Sequence, residues 1–319
     1  MINGLAYGVL IMIWSTTPLA IKWSANDVSF AGAIFWRILL SAIIALVIVR
    51  AKGATIWGYH NGVRFYSIAA IGIAPNFLLV YWASQWIPSG LISVIFSTTP
   101  FVMGALSYTI LGKQVFTVQR VIALMIAVCG LLVVFADQLL SVGVSGVYGI
   151  MAMVLSVFSF SVSGTYLQKI ESNIPVLQKT AGGLCFSVPM LALVWWMLDG
   201  TIPWPISLQS GLSILYLAIA GSLLGFALYY FLLHRLSAYV VSTVGMVSPV
   251  FALLLGYFLD DEPLTSRILM GTGLVLLGLT LYHVRSAIFK SMMLKSVVVK
   301  SMVMKGKLAT ALTMCLSKK

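Results

Sequence analysis

Two cations, Lys22 and Arg37, fall inside long apolar runs of the sequence. An ionisable side chain at membrane depth is expensive to place, so it is by default a candidate for function. Either residue could attract the carboxylate or other anionic group of a passing substrate. The structural alternative puts both within about two turns of a surface, where Lys22 pairs with Asp27 and Arg37 binds carbonyls or snorkels. Ser15, Pro18 and Lys22 are spaced i, i+3 and i+7 and share one helical face; Ser156, Ser159 and Ser163 form a matching face further on. A small polar stripe of this kind belongs in a bundle interior. Trp14, Asn76, Tyr81, Trp82, Ser97, Thr98, Thr99, Tyr229, Tyr230, Ser242 and Thr243 lie near the middle of other runs. Small-molecule pockets combine such aromatic walls with a few polar groups. The same residue types also serve as interface anchors and as hydrogen-bonding glue between helices. From this set Trp14, Ser15, Lys22, Arg37, Asn76, Tyr81, Thr98, Ser159 and Tyr230 are the candidate substrate contacts.

Covalent chemistry lacks its parts. The sequence has no HExxH, no GxSxG, no paired intramembrane Asp and no P-loop, so a membrane-embedded transferase or protease has nothing to work with. Cys129, Cys185 and Cys315 are far apart and form no metal-ligand spacing, and no cofactor is expected. No Asp or Glu falls deep in a predicted span. A proton-coupled carrier usually relays protons through such a carboxylate, so coupling here falls to His234, to a lysine or to no proton, and facilitated or exchange transport is expected.

The elements that must hold these residues follow from composition. Hydrophobic residues make up 61% of the 319 positions and charged residues 8%, against about 25% charged in a soluble domain. Crossing about 30 Å of hydrocarbon takes roughly 20 apolar residues. Such runs predict ten helices at about 3–23, 30–49, 63–86, 89–111, 117–136, 144–168, 175–198, 207–233, 238–259 and 265–284. The expected class is an all-α integral membrane protein. Pro100 and Pro249 fall mid-span in the fourth and ninth helices and predict a kink or hinge in each. The net charge of +12 is no nucleic-acid signal, because its placement follows membrane orientation. With both termini cytoplasmic, Arg50, Lys52, Arg64, Lys113, Arg120, Lys169, Lys179, Arg235, Arg285 and seven tail lysines lie inside, and Arg267 is the only outer base. Asp27, Asp137, Asp199, Asp260, Asp261 and Glu262 fall outside and Glu171 inside. The basic tail 285–319 cannot be an eleventh span and either lies on the anionic inner leaflet or is solvated.

The chain also repeats itself. A shift of 149 positions pairs Gly72 with Gly221, Phe77 with Phe226, Tyr81 with Tyr230, Ser93 with Ser242 and Pro100 with Pro249. Five helices per half forces the second half to enter from the opposite side, giving inverted repeats over 1–137 and 138–284. Inverted repeats are typical of secondary transporters, which bind substrate near the midplane between the halves.

With that order of features the sequence resembles the EamA-type ten-helix exporters of the drug/metabolite transporter superfamily, over residues 4–284. The resemblance is carried by Trp14-Ser15-Thr16 followed by Lys22, by Arg37, and by two proline-containing segments, Pro88-Ser89-Gly90 through Pro100 and Ser237-Ala238 through Pro249. It is also carried by Asp261-Glu262-Pro263-Leu264-Thr265, similar to the family's closing "GEP-x-T" turn with Asp in place of Gly; in the first repeat Lys113 replaces the expected Glu. The resemblance implies a multi-pass protein of the bacterial inner membrane that exports amino acids, related metabolites or toxic organic compounds through a central cavity. Importers and exchangers of nucleotide-related or organic-cation metabolites belong to the same superfamily, and a non-transporting bundle is the remaining alternative. The partners expected are a small-molecule substrate and membrane lipid, with monomer and homodimer both open.

Overall fold

The computed structural model describes residues 2–112, 117–141, 143–236, 240–241, 243–246 and 248–283. The basic tail, Lys113, Ser237-Ala238, Ser242 and Cys315 therefore lie outside the described residues, as does the side chain of Thr243. Every regular element among the described residues is helical. The long helices are α1 (Ile2–Ser24), α2 (Phe30–Ala51), α3 (Gly62–Ala83), α6 (Val118–Ser141), α7 (Val144–Lys169) and α8 (Val176–Leu198). Two further stretches are compound. One joins α4 (Ser89–Phe96) to α5 (Thr99–Leu111); the other joins α9 (Leu208–Tyr216), a π-helical segment (Leu217–Leu224) and α10 (Gly225–Arg235). A short 3-10 turn (Thr243–Met246) precedes α11 (Ser248–Asp260) and α12 (Ser266–His283). Seven stretches are long and apolar enough to cross a membrane, and three shorter apolar helices, 118–134, 248–260 and 266–282, accompany them. Lipid explains the apolar surface that remains: Met125 and Leu132 on α6, Trp196 and Met197 on α8 and Phe258 on α11 are largely exposed.

The packing is close because small residues sit at the crossings. α2 lies against α8, α3 against α7, and α6 against α12. At the last seam Gly130 faces Gly271, and a Cβ on Gly130 would stand 2.6 Å from the Gly271 carbonyl oxygen. Only hydrogen at both positions lets the backbones approach this far. On the α3–α7 seam the serine stripe has a definite use. Pro75 lies inside α3 and donates no backbone hydrogen bond, which orphans the carbonyl of Ile71. Ser159 Oγ donates to that carbonyl at 2.9 Å, Ser163 Oγ to the Ile68 carbonyl at 2.7 Å and Ser156 Oγ to Asn76 Oδ1 at 2.6 Å.

Several boundaries differ from expectation. Pro100 is the second residue of α5, in a span 89–111 that turns at Ser97-Thr98, and Pro249 is the second residue of α11. The break before α5 is a tight turn at Ser97-Thr98, and Thr99 Oγ1 donates to the Phe96 carbonyl that Pro100 leaves free. Asp137, read as punctuation at a helix end, lies within α6; it is buried and accepts from Thr265 Oγ1 at 3.1 Å. Nothing in the composition of 217–224 announced the π segment.

The two ends of the bundle differ in charge. Asp27, Asp199, Asp260 and Glu262 gather at the end where α1 finishes, and Ser29 Oγ caps α2 while donating to Asp199 Oδ2 at 2.6 Å. The hydroxyls of Ser29 and then Thr201 hold the Asp199 carboxyl below the usual carboxylate range. Those of Ser207 and Ser210 do the same for Asp27. At the opposite end Asn61 Nδ2 donates to the Glu171 carbonyl at 3.0 Å and Arg235 Nη1 to Asn3 Oδ1 at 3.2 Å.

Candidate functional site

Between the helices is a cavity of about 60 Å³. α1 lines it with Trp14, Thr17, Pro18 and Ile21, and α3 with Asn76, Phe77 and Val80; α4 contributes Ile92, Ser93 and Phe96. Phe160, Gly221, Phe226, Gly245 and Ser248 complete the wall from the other half of the chain. The two interruptions meet at its edge. A Cβ on Gly245 of the 3-10 turn would lie 3.5 Å from Ser97 Cα at the α4–α5 break. Broken backbone at this depth is tolerated where it is buried in protein or lines a cavity.

Aromatic rings separate the cavity from the basic end. Trp14 packs on Phe160 and Tyr229 at 5.9 Å each, and Tyr229 touches Tyr230 at 5.4 Å. Tyr230 stacks on Phe226 at 6.0 Å and meets Phe65 edge-on at 5.7 Å. Beyond Tyr230 and Phe65 opens a vestibule of about 650 Å³ lined with polar groups, among them Gln168, Glu171, Asn173, Lys179, His234 and Arg235.

The acidic end is closed by charge. Lys22 Nζ lies 2.6 Å from Asp260 Oδ2 and 3.0 Å from Glu262 Oε1. Lys22 thus pairs across the chain and not with Asp27, the local partner expected from spacing; Asp27 accepts from Ser210 Oγ at 3.0 Å instead. Trp23 Nε1 adds a bond to Asp260 Oδ1 at 2.7 Å. Glu262 is 6% exposed and also caps α4, accepting from Ser89 N at 2.7 Å, Ser89 Oγ at 3.0 Å and Gly90 N at 3.2 Å. A carboxylate at a helix N-terminus satisfies donors that have no partner in the helix. Asp261, which stands where the resembling turn has Gly, adopts φ 49°, a left-handed conformation that Asp tolerates and that aims Glu262 inward. Sequence reasoning placed Glu262 in an outer loop and missed this role. Its position in the turn motif was the signal available.

Arg37 is the opposite case. It is fully buried, neither snorkels nor bonds a carbonyl, and gives its Nε hydrogen to Ser222 Oγ at 2.8 Å. Nη1 and Nη2 have no hydrogen-bond partner among the described residues. The guanidinium lies over the Phe77 ring at 4.2 Å and within 5.9 Å of Tyr81. Desolvated cation–π contact offsets about 2 kcal/mol, less than the several kcal/mol that burying an unpaired ion costs.

Of the nine candidate contacts, Trp14 and Asn76 line the cavity and Tyr230 lines the vestibule. Arg37 stands directly behind the cavity wall. Lys22 belongs to the charged closure. Ser15 Oγ donates to the Ile11 carbonyl at 2.7 Å, Thr98 Oγ1 to Ile95 at 2.7 Å, and Ser159 serves the α3–α7 seam. Tyr81 is buried and its hydroxyl accepts from Ser24 Oγ at 3.4 Å. Phe77, Phe160 and Phe226 line the cavity and were not singled out.

Apolar spans surround an aromatic-walled cavity, and a polar vestibule lies beyond its ring layer. The chain belongs to the EamA-like transporter family, whose model matches residues 2–136 and again 147–283. It is 21% identical over 274 residues to the "Uncharacterized transporter YoaV" of Bacillus subtilis (strain 168), covering 84% of this chain and 92% of that protein. It is 23% identical over 288 residues to the "Probable amino-acid metabolite efflux pump" of Escherichia coli (strain K12), covering 87% and 93%. A solved crystal structure shares the fold with TM-score 0.66 at 15% identity, over 88% of this chain and 96% of the other.

Proposed function

We propose that this protein is a secondary transporter that exports small metabolites, amino acids or related compounds first among them, across a bacterial inner membrane by alternating access. Its ten spans form two inverted five-helix repeats, 1–137 and 138–284, with both termini and the basic vestibule on the cytoplasmic side. The observation that carries this reading is the unequal closure of one central cavity. Its acidic end is held by Lys22, Asp260 and Glu262, while an aromatic layer of Trp14, Tyr229, Tyr230 and Phe226 lies toward a vestibule of about 650 Å³. That is the arrangement of a carrier resting with its outer gate shut. A cavity of about 60 Å³ falls short of the roughly 300 Å³ or more that a ligand pocket needs, so substrate entry requires the ring layer to part.

Two further observations support the repeats. Phe77 and Phe226, partners under the 149-residue shift, touch each other across the cavity at 5.9 Å, as residues beside a two-fold axis do. The prolines paired by the same shift open equivalent broken helices. The amino-acid preference follows the efflux pump among the relatives. The test is counterflow uptake into proteoliposomes with a panel of labelled amino acids, nucleotide-related metabolites and organic cations, with tags at both termini scored for sidedness. Saturable exchange of an amino-acid class and termini on one face are expected. No exchange of any compound, or termini on opposite faces, refutes the proposal.

A further inference from the structure

A permanent positive charge sits behind the cavity with four N–H bonds unused. The two terminal nitrogens of Arg37 are buried without partners, and a guanidinium fork matches a carboxylate in bidentate geometry. What separates them from the cavity is thin. Gly221 lines the cavity, and a Cβ there would lie 3.3 Å from Arg37 Nη2. The Phe77 ring, itself a cavity wall, also covers the fork, 4.2 Å from the guanidinium carbon.

This opening is built from both sides. Residues 217–224 are π-helical, and such widened turns recur at functional sites. Arg37 and Ser41, one turn apart on α2, hold the segment: Ser41 Oγ donates to the Ala218 carbonyl at 2.6 Å and Arg37 Nε to Ser222 Oγ at 2.8 Å. Gly221, the residue before Ser222, is thereby presented between the fork and the cavity. No Asp, Glu, Lys or Arg is among the described residues lining the cavity, and the Arg37 guanidinium lies against two of its walls, Phe77 and Gly221. Lys22 cannot fill the role, since two carboxylates occupy its ammonium.

We propose that Arg37 is the anion-reading group of the cavity and that the transported compounds carry a carboxylate, which docks on Nη1 and Nη2 beside Gly221 once Phe77 turns aside. The aromatic wall of Trp14, Phe96, Phe160 and Phe226 takes the compound's apolar body. This assignment rests on the transport function proposed above and narrows it to a substrate class, with organic cations excluded by the unscreened charge.

The experiment is counterflow in proteoliposomes with amino acids and 2-oxo acids, each run beside its matching amide, and with organic cations. The wild-type protein should exchange acids and prefer an acid to its amide by about 30-fold or more, the scale of a lost buried charge pair. Arg37→Gln should collapse that ratio to near unity, and Arg37→Lys should restore part of it. A merely structural Arg37 would slow acid and amide alike and leave the ratio unchanged, which overturns the proposal. Should Arg37→Gln fail to fold, Gly221→Ala interposes a methyl group while keeping the charge. It should lower the acid-to-amide ratio by about 10-fold or more, whereas an unaltered ratio overturns docking at Gly221. Wild-type exchange confined to cations or amides defeats the anion site and leaves the transporter standing. Exchange of nothing defeats both.

Discussion

Replacing Glu262 with glutamine should unlock the acidic end of the transporter. The carboxylate accepts four hydrogen bonds, from Lys22 Nζ at 3.0 Å, Ser89 N at 2.7 Å, Ser89 Oγ at 3.0 Å and Gly90 N at 3.2 Å. Glutamine keeps the shape but brings one oxygen and one NH₂ group. Either the Gly90 N–H, or the Ser89 N–H together with the Lys22 ammonium, must then face another donor. A hydrogen bond to a charged group contributes about 1.5–3 kcal/mol. The share of Lys22 is discounted, because its side chain is 34% exposed and it keeps Asp260 at 2.6 Å. The net loss comes to about 2 kcal/mol, borne by the closed state alone, since a solvated Glu262 in the open state is indifferent to the change. That is about a 30-fold shift toward opening. It can be read by placing a single cysteine at Ser93, which lines the cavity, in a background with Cys129, Cys185 and Cys315 replaced. An impermeant maleimide added from the acidic side should label Ser93→Cys about 30-fold faster when Glu262→Gln is present. Lys22→Gln should accelerate labelling by only about 5-fold, the weight of a half-exposed ion pair. Unchanged labelling in a monodisperse Glu262→Gln protein refutes the gate.

Two structural predictions follow from the seams. Gly130→Leu drives a side chain at the Gly271 carbonyl oxygen 2.6 Å from its Cβ; it should cost about 3 kcal/mol or more and lower the melting temperature in detergent, and an unchanged melting temperature would mean that α6 and α12 do not pack this way. Ser159→Ala should cost about 1 kcal/mol by stripping the Ile71 carbonyl of its donor. In the Pro75→Ala background, where the backbone can supply that bond itself, the same serine change should cost much less, so additive costs in the double-mutant cycle would break the assigned link.

The apolar runs were legible because each must satisfy its own backbone across the hydrocarbon, and no other pattern gives so few charges over so many residues. Trp14 and Asn76 were named as candidates for their mid-span aromatic and amide groups, and both line the cavity, although Asn76 also accepts from Ser156 across the α3–α7 seam. What escaped were facts made by pairing. The serine stripe on α7 was visible, yet its purpose needed α3 alongside to show which carbonyl Pro75 had orphaned. The π segment carries no compositional mark, and Ser41 and Arg37, which hold it, lie some 180 residues earlier. Asp27, a few residues from Lys22, was the natural local partner. The acids that actually bind Lys22 are 238 and 240 residues away, at positions 260 and 262.

Lys22 and Arg37 entered on equal terms, as two cations at depth, and partner counting is what separates them. A buried cation whose donors are matched by carboxylates has its charge cancelled and can only hold elements together. Glu262 shows how complete that use is, since one carboxylate serves Lys22 and the start of α4 at once. A buried cation left with most of its donors unpaired raises the energy of the empty protein, and an anion that docks there releases that excess. Arg37 retains one hydrogen bond and one close aromatic face, enough to fix its direction and too little to cancel its charge. On the proposed assignment, the cost that destabilises the empty cavity also selects its occupant, through a residue that stands behind the lining and not in it.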